Sequence, residues 1–173
     1  YVVDIDGNIG TLTDREIYVK TFSLSGDILI KRITDDFLTD LLPSINYIGN
    51  KLAVAWVKVR NNKTELYYRE IDSSINTKIL DGNITRPNLL TGGTGGTKPL
   101  IGWKDYDLDS LYVTTQNNNR WTTDLIYKSR YFNHICNASQ FIDQICWDYY
   151  DEKPFATFIE NSPENRGFKR DIP

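Results

Sequence analysis

The sequence predicts an all-β chain, and three observations carry that expectation. Aromatic residues are abundant, with 11 Tyr, 7 Phe and 4 Trp among 173 residues, and such side chains favour strands over helices. Short apolar or alternating runs of strand length are separated by clusters of Asn, Asp, Gly, Ser and Pro, as in strands joined by turns. One run is also written three times: KLAVAWV at 51–57, KPLIGWK at 98–104 and KPFATFI at 153–159. Each copy opens on a lysine and carries a small residue followed by an aromatic: Lys51, Ala55 and Trp56; Lys98, Gly102 and Trp103; Lys153, Thr157 and Phe158.

The surroundings of the three copies repeat as well. The first is followed by the turn VRNNKT and the alternating run ELYYREID at 65–72; the second by DYDLD and SLYVTTQ at 110–116; the third by ENSPENR and GFKR at 167–170. Each pair reads as a hairpin. A further strand, INTKIL at 75–80 or DLIYK at 124–128, closes the first two units. Pro43-Ser44-Ile45 and Pro87-Asn88-Leu89 precede the first two copies, 44 residues apart, and Ser139-Gln140-Phe141 takes the corresponding place before the third. Upstream, YVVDID at 1–6, EIYVKTFS at 16–23 and DILIKRIT at 27–34 match the second, third and fourth strands of the same unit. TGGTGGT at 91–97 reads as a hairpin loop, since Lys98 leads into Pro99 and a strand, whereas a phosphate-binding loop opens a helix. DDFLTDLL at 35–42 suits one helical turn or a linker between units.

Trp56 and Trp103 stand 47 residues apart, and Trp103 and Phe158 stand 55 apart. Four short strands per period of this size are the signature of β-propeller blades. The predicted fold is therefore a β-propeller segment of about three to four four-stranded antiparallel blades, with partial blades at approximately 1–40 and 131–173 and whole ones at 41–84 and 85–130. A twisted blade cannot cover both of its faces alone, so stacking buries apolar face on apolar face. Central strands such as LAVAWV are then apolar on both sides, and the small residue before each aromatic lets neighbouring blades approach. The alternative is a β-sandwich of short strands.

Composition narrows the function classes. The net charge is −3, and the 20 Lys and Arg are scattered, which speaks against nucleic acid or an anionic membrane as partner. No apolar run reaches the length of a membrane helix, and no signal peptide is visible. The chain begins at Tyr1 and contains no Met, as expected of a processed product or a piece of a longer chain. Cys136 and Cys146 suit either two buried thiols or a disulfide outside the reducing cytosol. Sequons stand at Asn62, Asn83 and Asn137, about as many as chance provides, and add little to the expectation of an extracellular or cell-surface glycoprotein.

The unit P-x-[IL] … LAVAWV … ELYYREID resembles the repeat of sialidase-like (BNR-type) β-propellers and their non-catalytic cell-surface relatives, over roughly residues 43–170. The S-x-D-x-G-x-x-W box of such blades has only an echo here, TTQNNNRW at 114–121, with asparagines in place of Asp and Gly. The resemblance implies a surface propeller acting in protein or glycan binding or in assembly, with another chain or the rest of the propeller as partner. Two alternatives stand beside it: part of a sialidase-like glycoside hydrolase, and a structural block of a surface layer, filament or particle. The enzyme would need an arginine cluster, a Tyr/Glu nucleophile pair and an acid Asp. No motif assigns such roles to any arginine of this chain, and no catalytic residue is named. His134, the single histidine, reads as a solvated turn residue rather than a triad member.

Two candidate sites follow from residue type. Asp105, Asp107 and Asp109 alternate through a hairpin loop, where carboxylates converge on a hard cation such as calcium; without one, the loop is a solvated acidic turn and no cofactor is needed. Trp147, Tyr149 and Tyr150, together with Trp121, exceed what strand packing requires and form a candidate sugar- or protein-binding patch.

Overall fold

The computed structural model describes residues 2–4, 15–92, 96–105, 108, 110–128, 142–150, 153–161 and 166–171, with side-chain detail confined to the stretch 15–128. All regular elements among the described residues are strands, and they form four antiparallel sheets in chain order. The first holds β1 (Val2–Asp4), β2 (Arg15–Phe22) and β3 (Ile28–Arg32). The second holds β4 (Thr39–Ile48), β5 (Lys51–Arg60), β6 (Lys63–Glu70) and β7 (Thr77–Gly82). The third holds β8 (Ile84–Gly92), β9 (Lys98–Asp105), β10 (Ser110–Asn117) and β11 (Arg120–Lys128). The fourth holds β12 (Ile142–Tyr150), β13 (Lys153–Asn161) and β14 (Arg166–Asp171). Every strand pairs with its sequence neighbour within its sheet. The 35–38 stretch is the connection into β4 and holds no helical turn.

Local chemistry sets the turns. Asn61-Asn62 and Asn118-Asn119 both have positive φ at both residues, between 50° and 62°. That is a type I′ hairpin turn, whose twist matches the flanking strands and whose backbone asparagine tolerates well. Gly49, at φ 60°, opens the β4–β5 turn. Leu42 and Arg86, at φ 53° and 51°, each precede a proline in the first strand of a sheet. The ladder slips there, between Leu41 and Ser44 and between Thr85 and Asn88. The two X-Pro pairs are thus the same bulge in successive sheets.

Register makes the repeat explicit. Ala55 lies opposite Ser44 and Tyr68, and Gly102 lies opposite Asn88 and Val113. In the fourth sheet, Thr157 lies opposite Cys146 and Asp171. The counterpart of Ser44 and Asn88 is therefore Cys146; the Ser139-Gln140-Phe141 stretch lies outside the described residues.

Two apolar layers hold the sheets face to face. Alternation along β5 sends Val54 and Trp56 toward the first sheet, where they meet Ile17, Val19 and Ile33. It sends Ala53, Ala55 and Val57 toward the third sheet, where they meet Ile84, Leu89, Ile101 and Trp103. A strand covered on both sides has no polar face, which is why LAVAWV is apolar throughout. Trp56 and Trp103 are both buried, both on the second strand of their sheet, and both turned toward the preceding sheet. Each stacks on a tyrosine of the next strand: Trp56 on Tyr67 with centroids 5.4 Å apart, and Trp103 on Tyr112 at 4.5 Å.

Candidate functional site: a carboxylate cluster between the first two sheets

Three acidic residues meet where the first sheet joins the second. Glu16 sits near the start of β2, Asp36 in the connection and Asp40 near the start of β4. One carboxylate oxygen from each lies within 4.8 Å of the others. Glu16 and Asp40 are completely buried, and Asp36 is half-buried. Lys58, on β5 and opposite Asp40 in the ladder, brings its ammonium into the cluster. It pairs with Asp36 and lies 3.7 Å from Asp40 Oδ1. Its stem places the charge 5.1 Å from the centre of the Tyr67 ring, within cation–π range.

The remaining contacts are specific. Trp56 Nε1 donates to Asp40 Oδ1 at 2.7 Å. The Asp36 N–H donates to Glu16 Oε1 at 2.8 Å, and the Arg32 guanidinium reaches the same oxygen at 3.4 Å. Arg32 also pairs with the exposed Asp35 at 2.7 Å. Glu16 Oε2 and Asp40 Oδ2 are buried and have no hydrogen-bond partner among the described residues. Burial without a donor disfavours the charged form. Burial pushes the Asp40 carboxyl up to about 7, against the pull of Lys58 and the Trp56 hydrogen bond, and the Asp36 and Glu16 charges add to the rise. Burial alone would lower the Lys58 pKa, but the Asp36 hydrogen bond and the charges of Asp40 and Asp36 outweigh it, and the ammonium is held firmly protonated. Lys58 already fills the cationic role here.

A third buried carboxylate shows what full pairing looks like. Glu65, on β6, accepts from Tyr67 OH at 3.0 Å and from Lys78 at 2.8 Å, with Arg60 at 3.4 Å. Neither Glu65 nor the cluster was legible in the sequence, because the cluster's acids belong to β2, a connection and β4, with no common spacing. The one available signal was Lys58 itself, a charge inside an apolar run.

The residues singled out from sequence fall on several elements, and only some of them are described. Trp121 is the second residue of β11, half-buried, with its ring edge-on to Tyr68 of the second sheet at 5.3 Å. Its indole N–H has no hydrogen-bond partner among the described residues. Trp147, Tyr149 and Tyr150 lie on β12, in register with Ala156, Pro154 and Lys153, and their side chains fall outside the described residues. Asp105 ends β9, and its Oδ1 accepts the backbone N–H of Leu108 at 2.8 Å, a turn-closing bond. Asp107 and Asp109 lie outside the described residues, as do Cys136 and His134. Cys146 is placed only by its pairing with Thr157.

Two surface grooves, of about 230 and 190 Å³, lie beside Lys51 and Glu70 and between β2 and Pro43. Both fall short of the ~300–1,000 Å³ usual for small-molecule sites. The chain matches no protein-family model, and no curated protein is significantly similar to it.

Proposed function

We propose that this chain is a run of β-propeller blades serving as a binding or assembly module at a cell surface, not as a catalyst. The observation that carries the reading is the unsatisfied outer face of the first sheet. The second sheet is covered on both sides by its neighbours. The first sheet turns Ile17 and Val19 inward, which leaves Lys20 and Phe22 on the opposite face. Lys20 and Phe22 pair with Ile30 and Ile28, so these four share that outer face. Phe22, Ile28 and Ile30 are 68%, 54% and 53% exposed. A contiguous apolar patch of this kind marks an interaction site. Its fitting occupant is another β-sheet packed face to face, because that is how every covered sheet face in the described core is satisfied. The reading extends to extracellular placement and to protein or glycan partners through the resemblance of the repeat.

Light scattering on the 173-residue chain tests it. Self-association is expected, and the triple substitution of Phe22, Ile28 and Ile30 to Ser, Thr and Thr is expected to abolish it while strand content by circular dichroism stays unchanged. A wild-type chain that stays monomeric at high concentration and unfolds in one sharp transition would overturn the reading.

A further inference from the structure

We propose that the joint between the first two sheets holds a proton on the buried Asp40 carboxyl, so that the joint tightens on acidification and loosens in alkali. The geometry carries this. Both residues are wholly buried, and each leaves one oxygen, Glu16 Oε2 and Asp40 Oδ2, without a donor among the described residues. Their other oxygens are already engaged, Glu16 Oε1 by the Asp36 N–H and Arg32, and Asp40 Oδ1 by Trp56 and Lys58. Three carboxylates thus face two cations, and Arg32 is shared with Asp35. The charged and titratable groups facing the site are Glu16 from β2, Arg32 from β3, Asp35 and Asp36 from the connection, Asp40 from β4, Lys58 from β5, and Tyr67 with its partner Glu65 from β6. Tyr67 is pushed further above its ordinary value, chiefly by burial, and stays neutral. A proton on Asp40 removes the excess charge.

The raised pKa of Asp40 agrees in sign. The folded chain binds this proton with a pKa of about 7, against an ordinary value of 3.8. Between those values the folded state holds more protons than the unfolded one, so stability falls as pH rises through the window. Above about 7 the full cost of a buried, half-served carboxylate is present. The raised Lys58 pKa acts only in strong alkali, and the lowered Asp27 and Asp81 act only below the ordinary carboxylate range.

Thermal and urea unfolding of the 173-residue chain between pH 5 and 8.5 tests the proposal. On acidification the melting temperature is expected to rise, the unfolding constant falling by up to ~tenfold per pH unit, the slope of one linked proton. Asp40→Asn is expected to flatten that dependence and to match the acid form at pH 8; Glu16→Gln is expected to move its midpoint to lower pH. Every other titratable group is retained in each variant, so the difference between variants isolates Asp40. Should either variant fail to fold, carboxyl-carbon NMR of the wild type replaces it, with one aspartate titrating near 7 expected. Equal pH slopes in wild type and Asp40→Asn, or every aspartate titrating in the ordinary range, would overturn the proposal. So would a rise in melting temperature with millimolar calcium or magnesium at pH 8 that Asp40→Asn abolishes, which would make the ligand a metal ion.

Discussion

Trp56 and Trp103 hold matching places in neighbouring sheets, yet their indole N–H groups end on unlike acceptors. Trp103 Nε1 donates to the Thr114 hydroxyl at 2.9 Å, which is backed by Thr123 at 3.0 Å. Trp56 Nε1 donates to the buried Asp40 carboxylate. The second–third interface is a broad apolar layer in which a neutral hydroxyl suffices. The first–second interface has a smaller apolar layer and a charged cluster at one edge. The comparison teaches that the repeat prescribes the aromatic and its direction, while the partner of its polar atom is free to differ. A neutral pair can relax when disturbed; a buried charge cannot, because its desolvation must be met by something.

The largest expected effect comes from breaking the charged side. Lys58→Met keeps the stem but leaves Asp36 and Asp40 without their cation, and should cost about 3–5 kcal/mol at pH 8. Thr114→Val at the neutral interface should cost only about 1 kcal/mol. Urea denaturation of both variants measures the gap, and equal costs would erase the distinction between the interfaces. Next in size is the pair Trp56→Phe and Trp103→Phe. Both lose ring area, but the first also strips a donor from a buried carboxylate, so it should be the more damaging by about 1–2 kcal/mol. A larger loss for Trp103→Phe would mean that packing, not polarity, separates the two sites.

A smaller effect sharpens the comparison at the polar seam between β4 and β8. Ser44 Oγ accepts the Leu89 N–H at 2.9 Å and meets Asn88 Oδ1 at 3.2 Å, while Asn46 Nδ2 donates to the Leu89 carbonyl at 3.1 Å. Ser44→Ala should cost about 1 kcal/mol by leaving the Leu89 amide unserved, seen as faster exchange of that amide. Smallest of all, Asn62→Gly at the second place of a type I′ turn should be stabilising by a few tenths of a kcal/mol at most, since relief from positive φ is offset by unfolded-state entropy. A melting temperature lowered by several degrees would show that the Asn62 side chain does more than fill a turn.

Most of the strand pattern was legible before any coordinates. The copies at Lys51, Lys98 and Lys153 open β5, β9 and β13, and the Asn-rich and Gly-rich breaks fall between strands. The X-Pro pairs at 42–43 and 86–87 were visible as a repeat but not as bulges, because a bulge is defined by the partner strand. The packing of Trp121 was not legible, because the Tyr68 ring that meets it belongs to a neighbouring sheet.

The sequence alone determined the all-β class, the hairpins and the near-50-residue recurrence, because alternation and turn chemistry act between residues a few positions apart. Only the tertiary structure decided that Glu16, Asp36, Asp40 and Lys58 meet in one cluster, and that two carboxylate oxygens there lack donors among the described residues. Those residues come from three strands and a connection, and no local rule couples them. Their meeting depends on how the first sheet lies on the second, which is set by the packing of Ile17, Val19 and Ile33 against Val54 and Trp56.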